Sequence, residues 1–131
     1  MVRRSALLIC LLLALSGCGG DDTKDAEQTV RDFVEALNTR DADRYCDELV
    51  TKEFLEKTTL STGDEDQARE SCKREFKNLT VRVKLSKVET TKVDGDKATV
   101  TAVLTRQGQQ IKQKLLLEKE DGDWKLAGAA Q

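Results

Sequence analysis

Near residue 79 the chain changes its hydrophobic period from that of a helix to that of a strand. Before that point Ala26, Val30, Phe33, Val34 and Leu37 fall on one helical stripe, and Ala68, Cys72 and Phe76 follow one another at helical spacing. After it, Leu79, Val81, Val83 and Leu85 alternate with Thr80, Arg82, Lys84 and Ser86, the pattern of a strand with one face on a core. Helices first and an antiparallel meander last define an α+β layout, with about three N-terminal helices packed on a curved sheet of about four strands.

The first helix is expected to end near Asn38. Asp41 then caps a second helix whose inward stripe is Ala42, Tyr45, Cys46, Leu49 and Val50. Phe54, Leu55 and Leu60 read as a less regular stretch, and a third helix is expected from about Glu65 to Lys77. The strand that starts at Leu79 slips phase at Lys87 and Val88, which predicts a β-bulge. Asp94-Gly95 marks a hairpin, and the return strand carries Ala98, Val100, Ala102 and Leu104 on one face. A turn near Gly108 leads to Ile111, Gln113, Leu115 and Leu117, and Asp121-Gly122 turns the chain into Trp124 and Leu126. Both Asp-Gly-Asp stretches lack the alternating oxygen ligands and distal glutamate of a calcium loop, so they read as hairpin turns.

The N-terminus carries a different signal. Arg3 and Arg4 precede the apolar run from Ala6 to Leu15, and the small residues Ser16 and Gly17 follow, as in a secretory signal. The run is about half of the ~20 residues that a membrane-crossing helix needs. Leu15-Ser16-Gly17-Cys18 resembles the lipobox of bacterial lipoproteins. That resemblance implies diacylglycerol on the thiol of Cys18, cleavage before it, and a mature chain held by acyl chains at the extracytoplasmic face of the cell membrane. On this reading residues 1–17 are a signal peptide, residues 18–24 a lipidated cysteine and polar tether, and residues 25–131 a single α+β domain.

The chain holds 22 basic and 24 acidic side chains. Losing Arg3 and Arg4 would leave it mildly acidic, the wrong balance for a nucleic-acid partner. Cys10 would leave with the signal and Cys18 would be acylated, so Cys46 and Cys72 are the pair left in the domain. Each falls on an inward helical stripe. They form either one disulfide, which persists outside the cytoplasm, or two reduced core residues; the export signal favours the disulfide. No metal is expected, because the chain has no histidine and two thiolates do not complete a zinc shell.

The element order, the "LNTRDADRYCDEL" corner and the closing "DGDWKLAG" strand resemble the cone-shaped fold of the nuclear transport factor two-like superfamily. The resemblance spans about Asp25 to Ala127, with Asp41 and Trp124 as its best matches. That superfamily includes dehydratases, isomerases, ligand binders and scaffolds, so the fold leaves function open. It implies a hollow between helices and sheet, for which the candidate lining is Tyr45, Val83, Ala102, Leu104, Gln113 and Leu115. A chain without histidine lacks the usual proton carrier near neutral pH, so binding ranks above catalysis and no cofactor is expected. The expected function is therefore an anchored envelope domain that binds a small apolar ligand or a protein partner. The alternatives are a dehydratase- or isomerase-type enzyme of the same fold and a structural scaffold.

Overall fold

The computed structural model describes residues 19–59 and 64–130. The signal segment, Cys18 and Leu60 lie outside the described residues. Four helices precede one antiparallel sheet, the α+β class implied by the change of period. α1 (Gly19–Thr39) is followed by α2 (Ala42–Arg44), which runs directly into a π-helical turn (Tyr45–Leu49), and then by α3 (Lys52–Thr59) and α4 (Glu65–Lys77). The strands β1 (Lys84–Asp94), β2 (Lys97–Arg106), β3 (Gln109–Glu120) and β4 (Asp123–Ala130) lie side by side in chain order.

α1 begins at Gly19, so the segment expected as a tether is helical from that point. Tertiary contacts hold its first turns. The ammonium of Lys119 lies 2.8 Å from Asp22 Oδ1, and the Thr90 hydroxyl donates to the Thr23 carbonyl at 3.2 Å. The far end of α1 closes in the hydrogen-bond pattern of a Schellman motif: Arg40 N–H donates to Leu37 O and Asp41 N–H to Ala36 O, with Arg40 at a left-handed φ of 57°. Asp41 then accepts from Arg44 N–H and starts α2, as expected. α3 replaces the expected irregular stretch. Thr51 Oγ1 accepts from Phe54 N–H at 3.2 Å, and burial of Leu55 fixes this short helix to the core.

β1 starts at Lys84 rather than at Leu79, for a topological reason. Lys84 pairs with Thr105, and β2 turns back only two residues later through Gln107 and Gly108, so Leu79 to Val83 have no strand to pair with. Asn38 takes over there, donating to Val83 O at 2.7 Å and accepting from Val83 N–H at 3.0 Å. The register shifts between Leu85 and Lys87, beside the predicted slip, and again between Thr90 and Lys92. Asp121 and Gly122 both have left-handed φ (55° and 85°), the backbone that a tight two-residue hairpin requires.

One phase of the sheet is buried. Val100, Ala102, Leu117, Trp124 and Leu126 join Ala26 and Val30 of α1, Cys46, Leu55, and Ala68, Cys72 and Phe76 of α4 in one hydrophobic cluster. The outer edge of β4 is covered where the chain passes from Val50 to Thr51: Val50 bridges Leu126 in parallel, and Thr51 N–H donates to Leu126 O at 3.0 Å. That covering removes an open edge through which chains could pair.

Candidate functional site

Cys46, on the π-helical turn, and Cys72, on α4, form a disulfide across a Cα–Cα distance of 6.0 Å. Both are buried. On the solvent side of the same seam, Arg69 reaches Glu65 at 2.5 Å and Asp47 at 3.3 Å, while Lys73 lies 3.0 Å from Asp47. The guanidinium hydrogen-bonded to Glu65 holds that carboxyl below the usual carboxylate range. Tyr45 sits on the inner side, 4.6 Å from the Phe76 ring in a stacked pair and 5.6 Å from Phe33. Burial pushes its phenol up to about 12. It therefore stays protonated near neutral pH and cannot act as a base there.

The other candidate pocket residues lie on the sheet. Ala102 and Leu115 are buried within the core cluster, and Leu104 is half-buried against it. Gln113 is the cross-strand partner of Ala102, and its amide donates to Ala130 O and Lys114 O at 3.3 Å each, so it ties down the end of β4. Val83 lines a cleft of about 390 Å³ with Asn38, Arg82, Lys84 and Thr105. Tyr45 lines a separate crevice of about 170 Å³ beside Cys72 and Phe76. Register thus brings Ala102, Leu104, Gln113 and Leu115 together, while Val83 and Tyr45 open onto different clefts.

Two larger clefts were not anticipated. One, of about 450 Å³, lies between α3 and the sheet and is lined by Thr51, Lys57, Lys92, Thr99, Leu116 and Ala127. Leu116 is exposed within it, and the Glu53–Lys57 ion pair of 2.7 Å stands at its rim. Its lining comes from α3 and all four strands, so no local run of sequence signals it. The other, of about 590 Å³, is bounded by Asp25, Asp32, Asp47, Glu48, Asp123 and Trp124. Asp32 is paired with Arg44 at 3.1 Å and Asp47 with Arg69 and Lys73, as in a solvated ion network. Trp124 is buried with Lys119 5.2 Å above its ring, and its indole N–H finds no acceptor among the described residues. Among those residues no group of acidic or sulfur side chains is placed to hold a metal ion, and no helix is long and apolar enough to cross a membrane.

Comparison with known families finds a match over residues 16–127 to DUF4878, a domain of unknown function. The chain belongs to this family. No match was found among curated proteins. Among solved structures, a protein of Kribbella flavida DSM 17836, provisionally titled a ketosteroid isomerase, is 17% identical. The likeness covers 84% of this chain and 81% of that one, with a TM-score of 0.48. A likeness of that grade assigns no activity to the DUF4878 chain, and its α+β class stands on its own elements.

Proposed function

We propose that this DUF4878 chain is an exported, lipid-anchored domain of the cell envelope that acts by binding a macromolecular partner through its surface. The observation that carries the reading is the buried Cys46–Cys72 disulfide in a domain whose first helix begins one residue after the "LSGC" sequence. A disulfide persists in an oxidising compartment, and the lipobox-like segment leads to the same place by a separate argument. The proton-transfer groups that a fold of this type could use are poorly placed for catalysis. Tyr45 is packed between the Phe33 and Phe76 rings, histidine is absent, and the carboxylates Asp32, Asp47 and Glu65 are engaged in ion pairs at the surface. Ala102 and Val100 are fully buried within the single hydrophobic cluster that joins sheet and helices, which favours contact from outside over an enclosed ligand. A second reading, a small apolar ligand, is favoured by the exposed Leu116 within the cleft beneath α3.

Cys18→Ala in the full-length chain tests the anchoring. The variant should lose incorporation of labelled fatty acid and leave the membrane fraction or stall before cleavage, because two or more acyl chains hold a protein stably. Normal processing and unchanged membrane association would refute lipidation at Cys18. Native mass spectrometry of the wild type from its own membrane tests the binding: a retained protein or polymer supports the first reading, and a retained small apolar molecule supports the second.

A further inference from the structure

The acidic side chains of the sheet are confined largely to one end, where Lys92, Lys97, Lys119 and Lys125 stand among them, and are sparse at the other. Residues 97–117 contain no aspartate or glutamate, and neither do residues 76–88. These segments supply the start of β1, all of β2 and most of β3, together with the turn at Gln107 and Gly108. The opposite end of the sheet, around the other two turns, carries Asp94, Asp96, Glu118, Glu120, Asp121 and Asp123.

The acid-free end presents an ordered array of cations. On the sheet phase opposite the core, Lys87 pairs through Val103 with Lys112, Lys84 pairs through Thr105 with Gln110, and Lys114 stands two residues beyond Lys112. Strand geometry spaces the backbone origins of these lysines about 10 Å apart across the strands and about 7 Å along them. All four lysines are exposed. Lys87 lies 3.6 Å from Glu89, whereas Lys84, Lys112, Lys114 and the neighbouring Arg106 have no carboxylate partner among the described residues. The residues between them are Thr105, Val103, Thr101 and Gln110, with no aromatic side chain in the array and with Glu89, in register through Thr101 with Lys114, as its one carboxylate. Protein interfaces are enriched in aromatic anchors and depleted of lysine. A flat lattice of hydrated point charges instead matches a chain of regularly spaced anions.

The helix decides which anions are within reach. Asp22, near the start of α1, contacts Lys119 at the acidic end, and Asn38, near its finish, contacts Val83 at the basic end. A helix of 21 residues spans about 30 Å, whereas charge in physiological salt is screened within about 8 Å. With an acylated Cys18 before Gly19 and α1 upright on the bilayer, the lysine array would stand about 30 Å from the headgroups of its own membrane, beyond their screened field.

We propose that the exposed β1–β3 face at the end remote from Gly19, with Lys84, Lys112 and Lys114 as its main contacts, binds a linear polyanion of the cell envelope carrying repeated phosphate charges, which lysine meets as a point charge. This rests on the reading of the chain as an anchored binding domain and names its partner class.

The test uses the full-length protein purified in neutral detergent, with polyphosphate, poly-glutamate and vesicles containing phosphatidylglycerol as separate probes. If about four cations take part, affinity for the preferred polymer should fall about 50-fold between roughly 50 and 200 mM salt. The combined Lys84→Gln, Lys112→Gln and Lys114→Gln variant should lose most of the binding and reduce that fall to about threefold. A charge-matched control, Lys24→Gln, Lys57→Gln and Lys97→Gln, should bind as the wild type does, with the disulfide and circular dichroism unchanged in both variants. Polyphosphate should bind more tightly than poly-glutamate, and equal or tighter binding of poly-glutamate would overturn the phosphate assignment. Binding of neither polymer at low salt, equal loss in the control, or binding to the vesicles alone would overturn the proposal. None of these readouts requires lipid on Cys18, so failure of the anchoring and failure of polymer binding are told apart.

Discussion

Reducing the Cys46–Cys72 disulfide removes a crosslink between residues 26 apart in sequence while leaving most of the seam around it in place. In the chain-entropy description, a closed loop of that length stabilises the folded state by about 3.5 kcal/mol, chiefly by restricting the unfolded chain. For a domain of roughly 110 residues that corresponds to a fall in melting temperature of about 15 °C. The reduced protein should remain folded. The Tyr45–Phe76 stack, the buried Ala68 and Phe76, and the Arg69 and Lys73 contacts to Asp47 all still join the π-helical turn to α4. Urea unfolding of oxidised and reduced wild type, with thiols counted before each run, measures the difference directly. The reduced form should unfold at lower urea and with a larger m-value, because its unfolded chain expands further. Equal midpoints for fully oxidised and fully reduced protein would refute the reasoning. The Cys46→Ala, Cys72→Ala double variant should fall at or below the reduced wild type, since it also loses two buried sulfur atoms.

Tyr45 is the chain's single tyrosine, so absorbance of tyrosinate reports on it alone; the midpoint should lie near 12. Because its pKa is raised in the folded state, the associated stability is complete below about pH 10 and is lost progressively as pH rises toward 12, by about 2 to 3 kcal/mol in all. A midpoint near 10 would refute its burial. Ala102→Phe should destabilise the domain by about 1 to 3 kcal/mol or more in urea titrations, because Ala102 is fully buried between Val88 and Gln113. Wild-type stability in that variant would mean that room exists there, and would return the small-ligand reading to first place.

What could be read from the sequence depended on how much of each element's stability is local. α4 was readable from Glu65 to Lys77 because Ala68, Cys72 and Phe76 keep one helical face and Asp64 caps it, accepting from Gln67 N–H. The three hairpins were readable from their turn residues. α3 was not, since eight residues hold too few apolar positions to show a period, and its support comes from the Thr51 cap and from Leu55 in the core. The strand expected from Leu79 failed because alternation records which face a residue could use, not whether a neighbouring strand extends far enough to pair with it. The clefts were less readable still. Tyr45 and Val83 share the apolar character expected of a lining, yet the path of the chain puts them on separate hollows, and the groove beneath α3 draws on five elements.

The same dependence on long-range contacts changes what an anchor at Cys18 would do. A flexible "GGDDTK" tether would let the domain turn freely, and no surface of it would face consistently away from the membrane. A helix that begins at Gly19 leaves almost no slack. Its first three turns are held from two sides, by Lys119 at Asp22 and by Glu27 Oε1, which accepts from Thr90 N–H at 3.0 Å, so α1 and the sheet move as one body. Acylation at Cys18 would then set the direction of the sheet as well as its location, with the acidic turns toward the bilayer and the Lys84–Lys112 end about 30 Å outward. The lysine array would then meet the envelope beyond the screened field of the headgroups. The basic array at one end of the domain and a helix rooted at an acylated Cys18 would thus be complementary, since the helix would give the array an orientation in which to act.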